Sequence, residues 1–197
     1  LYAFSTENWS RPQAEVSGLM TLLRTFIDKY EREMIERRVR LRVIGRREDL
    51  SSSLQQALAR IERATATFDR QLIVALSYSG RSELARAARR IAEEVKAGTL
   101  APEEVDEAVV AARLDAPDVP DPDLIIRTSG ELRISNFLLW QCAYSEFYVT
   151  PVLWPDFREA DFQAALAAYA VRDRRFGSVE SGTPCAETVR SKQEQES

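Results

Sequence analysis

The sequence predicts an α/β fold: one domain with a mostly parallel central sheet and helices on both of its faces. Three observations carry this. Short aliphatic runs alternate with longer stretches of helical periodicity. Two of the runs, residues 72–76 and 124–126, are apolar almost throughout, as strands buried on both faces are. The chain has 197 residues, the length of one domain or two small ones, and contains no internal repeat and no sign of a second domain.

The elements follow in order. Leu1-Tyr2-Ala3-Phe4 reads as the end of a strand, and because the chain opens inside this apolar stretch, a strand whose beginning lies outside the sequence is expected. Pro12 and Glu15 introduce a helix with Val16, Leu19, Met20, Leu23, Phe26, Ile27, Tyr30 and Met34 on one face. Val39, Leu41 and Val43 alternate with Arg40 and Arg42, a strand closing at Gly45. Leu54, Leu58, Ile61, Ala64 and Phe68 mark a second helix, and residues 72–76 a buried strand broken by Ser77-Tyr78-Ser79-Gly80. A third helix runs from about Ser82 to Ala97 with Gly98 as its stop. A short helix starts near Pro102, and the three prolines of residues 116–123 make a loop. Strands at residues 124–126 and 147–149 precede a last helix, expected to be capped by Asp156 with Glu159 and to reach Arg174. Residues 178–197 are polar and aperiodic, so a disordered tail is expected after a domain of residues 1–177.

Composition narrows the chemistry. With 31 acidic and 27 basic residues the chain is mildly acidic, a poor match for non-specific nucleic-acid binding. Its bases are 24 Arg and 3 Lys, as a GC-rich genome gives, or as bidentate recognition of phosphate requires. There is no histidine, so Ser-His-Asp and Cys-His nucleophile systems and His-built zinc sites are excluded. Catalysis is left to carboxylates, a metal, arginine, amides and hydroxyls. Cys142 and Cys185 make no disulfide framework. With no apolar span of membrane length and no secretory pattern, a cytoplasmic protein is expected.

In parallel sheets ligands bind beyond the carboxyl ends of the strands. The two most polar strand exits are Ser5-Thr6-Glu7-Asn8-Trp9-Ser10-Arg11-Pro12 and Arg127-Thr128-Ser129-Gly130-Glu131-Leu132-Arg133-Ile134-Ser135-Asn136. Arginines, hydroxyls and a glycine make a diphosphate cradle at such an edge. Such residues also occur in ordinary loops, and Ser135 is placed to cap a helix starting at Asn136. Trp9 suits either the wall of a substrate site or the lid of the core. Glu146, before the last strand, suits a solvated carboxylate or a metal ligand.

These motifs resemble the cis-prenyltransferases, the family of bacterial undecaprenyl diphosphate synthase. The likeness runs in order from Phe4-Ser5-Thr6-Glu7-Asn8-Trp9-Ser10-Arg11-Pro12 through Arg127-Thr128-Ser129-Gly130-Glu131 and Arg133-Ile134-Ser135-Asn136-Phe137-Leu138-Leu139-Trp140-Gln141. It continues through Glu146 and Leu153-Trp154-Pro155-Asp156-Phe157 to Arg174-Arg175-Phe176-Gly177. The resemblance implies condensation of isopentenyl diphosphate with an allylic diphosphate such as farnesyl diphosphate. The product is a cis-polyprenyl diphosphate for a lipid carrier. It also implies Mg²⁺, a homodimer, and membrane contact only through the lipid product. It gives Arg127, Arg133, Ile134 and Ser135 to isopentenyl diphosphate and Ser5, Thr6, Glu7, Trp9 and Arg11 to the lining of the substrate site. Asn8 falls at the position of proton removal and Glu146 at that of a metal ligand. Leu19, Leu23 and Phe26 would wall a tunnel for the growing chain, or simply belong to the core.

The sequence departs from the family pattern in three places. An Asp-Gly-Asn-Gly-Arg-Trp stretch, whose Asp binds the metal and whose glycine-rich loop holds the allylic diphosphate, does not occur in it. The expectation is therefore a fold lacking its N-terminal strand and phosphate loop, and a chain inactive by itself; a non-catalytic subunit of a heteromeric prenyltransferase is the alternative. Leu132 stands where some members carry His. Ser77-Tyr78-Ser79-Gly80-Arg81 replaces the more usual Asn-Tyr-Gly-Gly-Arg.

Overall fold

Alternation of strand and helix holds through the computed structural model, which describes residues 1–172. The expected tail, residues 178–197, and the motif from Arg174 to Gly177 lie outside the described residues. The order is β1 (Tyr2–Ser5), a 3₁₀ turn (Thr6–Ser10), α1 (Gln13–Glu36), β2 (Val39–Ile44), α2 (Ser52–Thr65), β3 (Arg70–Tyr78) and α3 (Gly80–Ala97). Then come α4 (Glu107–Ala111), β4 (Leu124–Arg127), β5 (Glu146–Val149) and α5 (Glu159–Ala170). Gly98 ends α3 in the left-handed conformation, as its position in the sequence predicts.

Every strand pairing is parallel, but the strands form two sheets rather than one. One has the order β1-β3-β2; the other is the pair β4-β5. A ladder needs strands about 4.8 Å apart, and no described ladder joins the two sheets. Side chains and loop backbone make the join instead. Tyr2 stacks on Phe137 at 4.6 Å, and the Gly80 N–H donates to the Asn136 carbonyl at 2.7 Å.

The larger sheet sorts its side chains by the period of two. Leu41, Val43, Val74 and Leu76 enter one core cluster with Val16, Ile27 and Met34 of α1 and Leu54, Leu58 and Ile61 of α2. Ile44, Ala75 and Tyr78 form a second cluster, covered by Ala116, Phe137 and Leu138. The alternation switches at Ser77, whose φ of 46° turns the strand and sends Tyr78 to the second cluster. Each fully buried aliphatic chain here contributes about 1.5–3 kcal/mol. The outer edge of β2 is closed by side chains. The N–H groups of Leu41, Val43 and Gly45 donate to Thr65 Oγ1, Glu62 Oε1 and Asp115 Oδ2. Such plugging keeps an edge strand from pairing with another chain.

Three local expectations are corrected. No helix starts at Asn136: Ser135, Asn136 and Leu138 all have positive φ, so the segment is a series of tight turns and Ser135 caps nothing. The last helix begins after an extended Arg158, whose N–H donates to Asp161 Oδ2 at 2.8 Å, and it stops at Ala170. Asp161, not Glu159, closes its first turn, because Asp156 already belongs to a 3₁₀ turn (Trp154–Asp156). Phe26 leaves the apolar face of α1: it is 41% exposed and packs on Tyr30.

Candidate active site

The carboxyl ends of β1, β3 and β4 supply the site. At the end of β1 the 3₁₀ turn folds back on itself, with the Ser5 N–H donating to Asn8 Oδ1 at 2.9 Å. Thr6 Oγ1 donates to Glu7 Oε2. Burial pushes the Glu7 carboxyl up, but hydrogen bonds from Asn136, its own backbone, Ser5 and Thr6 outweigh it and hold the group below the usual glutamate value.

Across from Glu7 lies the loop that leaves β4. Asn136 Nδ2 donates to Glu7 Oε1 at 2.9 Å, so the two most polar strand exits meet at one place. The same amide group donates to Ser79 Oγ at 2.7 Å, and its Oδ1 accepts from the Arg81 N–H at 2.9 Å.

Arg127 is the last residue of β4. Its guanidinium donates to Glu131, and Glu131 Oε1 also pairs with Arg133 at 2.5 Å. Arg127 Nε is buried without a hydrogen-bond partner, an unfilled demand for an acceptor. The fork of Arg127 and Arg133 therefore closes on an internal carboxylate, and the side chain of Arg133 stays 63% exposed. Ile134 is half-buried and its carbonyl accepts from the Phe137 N–H, while Ser135 holds a φ of 51°. The loop base is pinned to the end of β5, where Ser129 and Gly130 N–H groups donate to the Val152 and Thr150 carbonyls.

Three of the residues singled out in the sequence turn elsewhere. The Trp9 indole packs edge-on to Phe4 and its Nε1–H donates to Ser77 Oγ at 2.8 Å, so the ring lids the core. Arg11 pairs with Glu15 one turn along α1. Glu146 opens β5 opposite Leu124 and pairs with Arg172, whereas Arg127 stands opposite Val149. Three residues of parallel strand place Glu146 about 10 Å along the ladder from Arg127. Glu146 is one carboxylate beside a cation, and no group of three or more His, Cys, Asp or Glu among the described residues is arranged to hold a metal. These residues alone do not fit a Mg²⁺ site.

Trp9→Phe is expected to lower unfolding stability by about 1 kcal/mol, the worth of one hydrogen bond. Urea denaturation measures it, and an unchanged midpoint would remove the Trp9–Ser77 bond from the account.

Two residues at the site carry more than their place in the sequence suggests. Glu131 lies between the two arginines in the sequence and pairs with both, a partnership that the turn after β4 creates and that no helical spacing signals. Asn136 has a faint signal, the tolerance of asparagine for the left-handed region.

The comparisons with known proteins agree with this geometry. A family profile described as putative undecaprenyl diphosphate synthase matches residues 1–177. An isoprenyl transferase of Rhizobium meliloti (strain 1021) is 50% identical over 184 residues, covering 93% of this chain and 74% of the relative. A ditrans,polycis-undecaprenyl-diphosphate synthase of Xanthomonas axonopodis pv. citri (strain 306), described as (2E,6E)-farnesyl-diphosphate specific, is 49% identical over 178 residues. That match covers 90% of this chain and 69% of the relative. Among solved structures, lavandulyl diphosphate synthase from Lavandula x intermedia, in complex with dimethylallyl diphosphate, superposes with a TM-score of 0.87 at 38% identity. It covers 90% of this chain and 77% of that one. A probable undecaprenyl diphosphate synthase from Campylobacter jejuni gives 0.80 at 35% identity, covering 90% and 82%. With its strand exits, its arginine fork and these relatives in agreement, the chain belongs to the cis-prenyltransferases, the enzyme family of undecaprenyl diphosphate synthase.

Proposed function

We propose that the loop after β4 binds isopentenyl diphosphate for condensation with an allylic diphosphate such as farnesyl diphosphate. The observation that carries this is the arginine pair closed on Glu131 beside a buried, partnerless Arg127 Nε. An incoming diphosphate replaces the Glu131 carboxylate with more oxygens and more charge, and gives Arg127 Nε its acceptor. Ser135 and the backbone at Ile134 complete the cradle. Ser5, Thr6 and Glu7 line the side of the allylic substrate, and Trp9 supports that wall from the core.

In the reaction the allylic C–O bond breaks and diphosphate departs. The isopentenyl double bond forms the new C–C bond, and a proton leaves the neighbouring carbon. Asn8 orients the substrate: an amide is a very weak base, and its Oδ1 is already engaged by the Ser5 N–H. The proton goes to the departing diphosphate. Mg²⁺ belongs to this reading as a companion of the substrate diphosphate; Glu146, paired with Arg172, does not make a site for it by itself.

Residues 1–177 act as one catalytic domain in this reading. Phe147, Leu153, Trp154, Phe162 and Leu166 near β5 and α5 are exposed apolar side chains that a second copy of the chain would cover, which supports a homodimer. Among the described residues no helix is long and apolar enough to cross a membrane, which is compatible with work in the cytoplasm and contact with membrane through the product.

The family's Asp-containing metal motif does not occur in the 197 residues. The polypeptide alone is therefore expected to bind isopentenyl diphosphate yet incorporate it only at background level. Titration calorimetry and a labelled-isopentenyl-diphosphate assay with farnesyl diphosphate and Mg²⁺ read the two properties separately. Absence of binding overturns the diphosphate assignment; brisk incorporation overturns the expected inactivity.

A further inference from the structure

We propose that Asn136 is a positioning residue that locks the exit of β1 to the exits of β3 and β4. Through that lock it sets the isopentenyl diphosphate loop. The inference rests on the diphosphate reading above for its functional consequence, but the lock itself is geometric.

The side-chain amide of Asn136 makes three hydrogen bonds to two other segments. Nδ2 donates to Glu7 Oε1 in the turn after β1 and to Ser79 Oγ at the start of α3. Oδ1 accepts from the Arg81 N–H, and the Asn136 carbonyl accepts from the Gly80 N–H. Ser135, the residue before it, belongs to the proposed cradle, and Arg133 lies two further back. Both Ser135 and Asn136 have positive φ, so the chain holds this turn only while something fixes it. Packing leaves little room for another arrangement: a Cβ on Gly80 would stand 2.7 Å from Leu139 Cγ and 3.1 Å from the Asn136 carbonyl oxygen. The Ser79 hydroxyl accepts one arm of the lock.

The direction of the Glu7 bond makes the lock testable. Asn136→Asp keeps the shape, the tolerance of positive φ and the acceptor for Arg81. It turns the Glu7 contact from attraction to repulsion between carboxylates, while the Ser79 hydroxyl can rotate to donate where it accepted before. The titratable groups around the pair are Glu7 itself and Tyr2, whose phenol is pushed up to about 12, chiefly by burial. Arg127 acts on Tyr2 at longer range, and Arg81 meets the pair through its backbone. Tyr2 stays neutral between about pH 5 and pH 8, whereas the diphosphate ligand itself takes up a proton at about pH 6. Each variant is therefore read as its ratio to the parent protein at the same pH, and a ratio that changes with pH reports the new carboxylate pair.

The experiment uses the 197-residue protein, its Asn136→Asp variant and the double variant Asn136→Asp/Glu7→Gln. In the double variant the donor and acceptor exchange sides and the bond re-forms. Two readouts are taken at about pH 5 and pH 8: hydrogen-exchange protection of the Gly80 and Arg81 amides without ligand, and calorimetric affinity for isopentenyl diphosphate. Asn136→Asp is expected to lose about tenfold in both at pH 8 and to regain most of it at pH 5, where the two carboxylates share a proton. The double variant is expected to lose that pH dependence. Equal protection and equal affinity in all three proteins at both pH values overturn the proposal. Protection that follows the expected pattern while no protein binds isopentenyl diphosphate supports the lock and overturns the proposed function. Affinity that falls without pH dependence or rescue overturns the role of the Glu7 bond.

Discussion

Arg127→Ala is expected to weaken isopentenyl diphosphate binding by about 1.5–3 kcal/mol, the worth of hydrogen bonds to a charged group. That corresponds to roughly 10- to 150-fold in Kd. The loss is large because Arg127 stands at the end of β4, fixed by the ladder to β5, and because its Nε is already desolvated. A buried donor without a partner adds binding energy when an acceptor arrives, with no side-chain ordering left to oppose it. Arg133, more exposed and on a loop, should cost less when replaced. Folding should hardly suffer, since the lost partner, Glu131, keeps Arg133 and reaches solvent. Calorimetric titration of the two variants checks the ranking, and an Arg127→Ala protein with the parent's affinity would take this residue out of the site.

The second large effect is on stability. Glu83→Ala should lower unfolding free energy by about 3–5 kcal/mol. Glu83 is 1% exposed in the first turn of α3 and gathers three donors. Tyr78 OH donates at 2.5 Å, the Asp115 N–H at 2.9 Å, and Gln141 Nε2 reaches both carboxylate oxygens. Burial and then the bond to Glu83 push the Tyr78 phenol far up, so it stays a neutral donor at any working pH. Alanine strands all three donors, each costing about 1–3 kcal/mol when unsatisfied, while partial collapse and water entry return some of the loss. Glu83→Gln should cost less, because an amide oxygen still accepts from the Asp115 N–H and the new amide N–H can donate to the Tyr78 oxygen, reversing that bond. Urea unfolding of the two variants gives the order; a loss below about 1 kcal/mol for alanine would mean that this cluster does not hold the 136–142 turns in place.

Most of the fold could be read from the chain because its signals are local. The alternation at Val39–Val43, the apolar run before Ser77 and the glycine after Ala97 each specify their element through period or backbone freedom. What resisted reading is set by contacts distant in sequence. The expected single sheet is two, since ladder continuity depends on which strands lie side by side and not on any strand's own residues. The turns at Ser135, Asn136 and Leu138 read as a helix because Phe137-Leu138-Leu139-Trp140 is apolar at every position. Their positive φ is imposed by anchoring to Gly80 and Arg81, more than 50 residues away in sequence.

At the site, the composition of both strand exits pointed to anion binding, and the two exits meet through Glu7 and Asn136 although β1 and β4 belong to different sheets. The partners of individual side chains could not be read. Trp9 suited a substrate wall or a core lid, and only the Ser77 hydroxyl, 68 residues on, decides for the lid. Glu146 reads from its place as a solvated carboxylate or a metal ligand, and its ion pair with Arg172 could not be read there.

The central claim is that Arg127 and Arg133 form a diphosphate clamp held shut by Glu131. A crystal structure of the 197-residue protein soaked with isopentenyl diphosphate tests it most directly. The diphosphate oxygens are expected within hydrogen-bond distance of both guanidinium groups, with Arg127 Nε satisfied and the Glu131 carboxylate displaced toward solvent. Diphosphate bound elsewhere, with the Arg127–Glu131–Arg133 contacts intact, would contradict it.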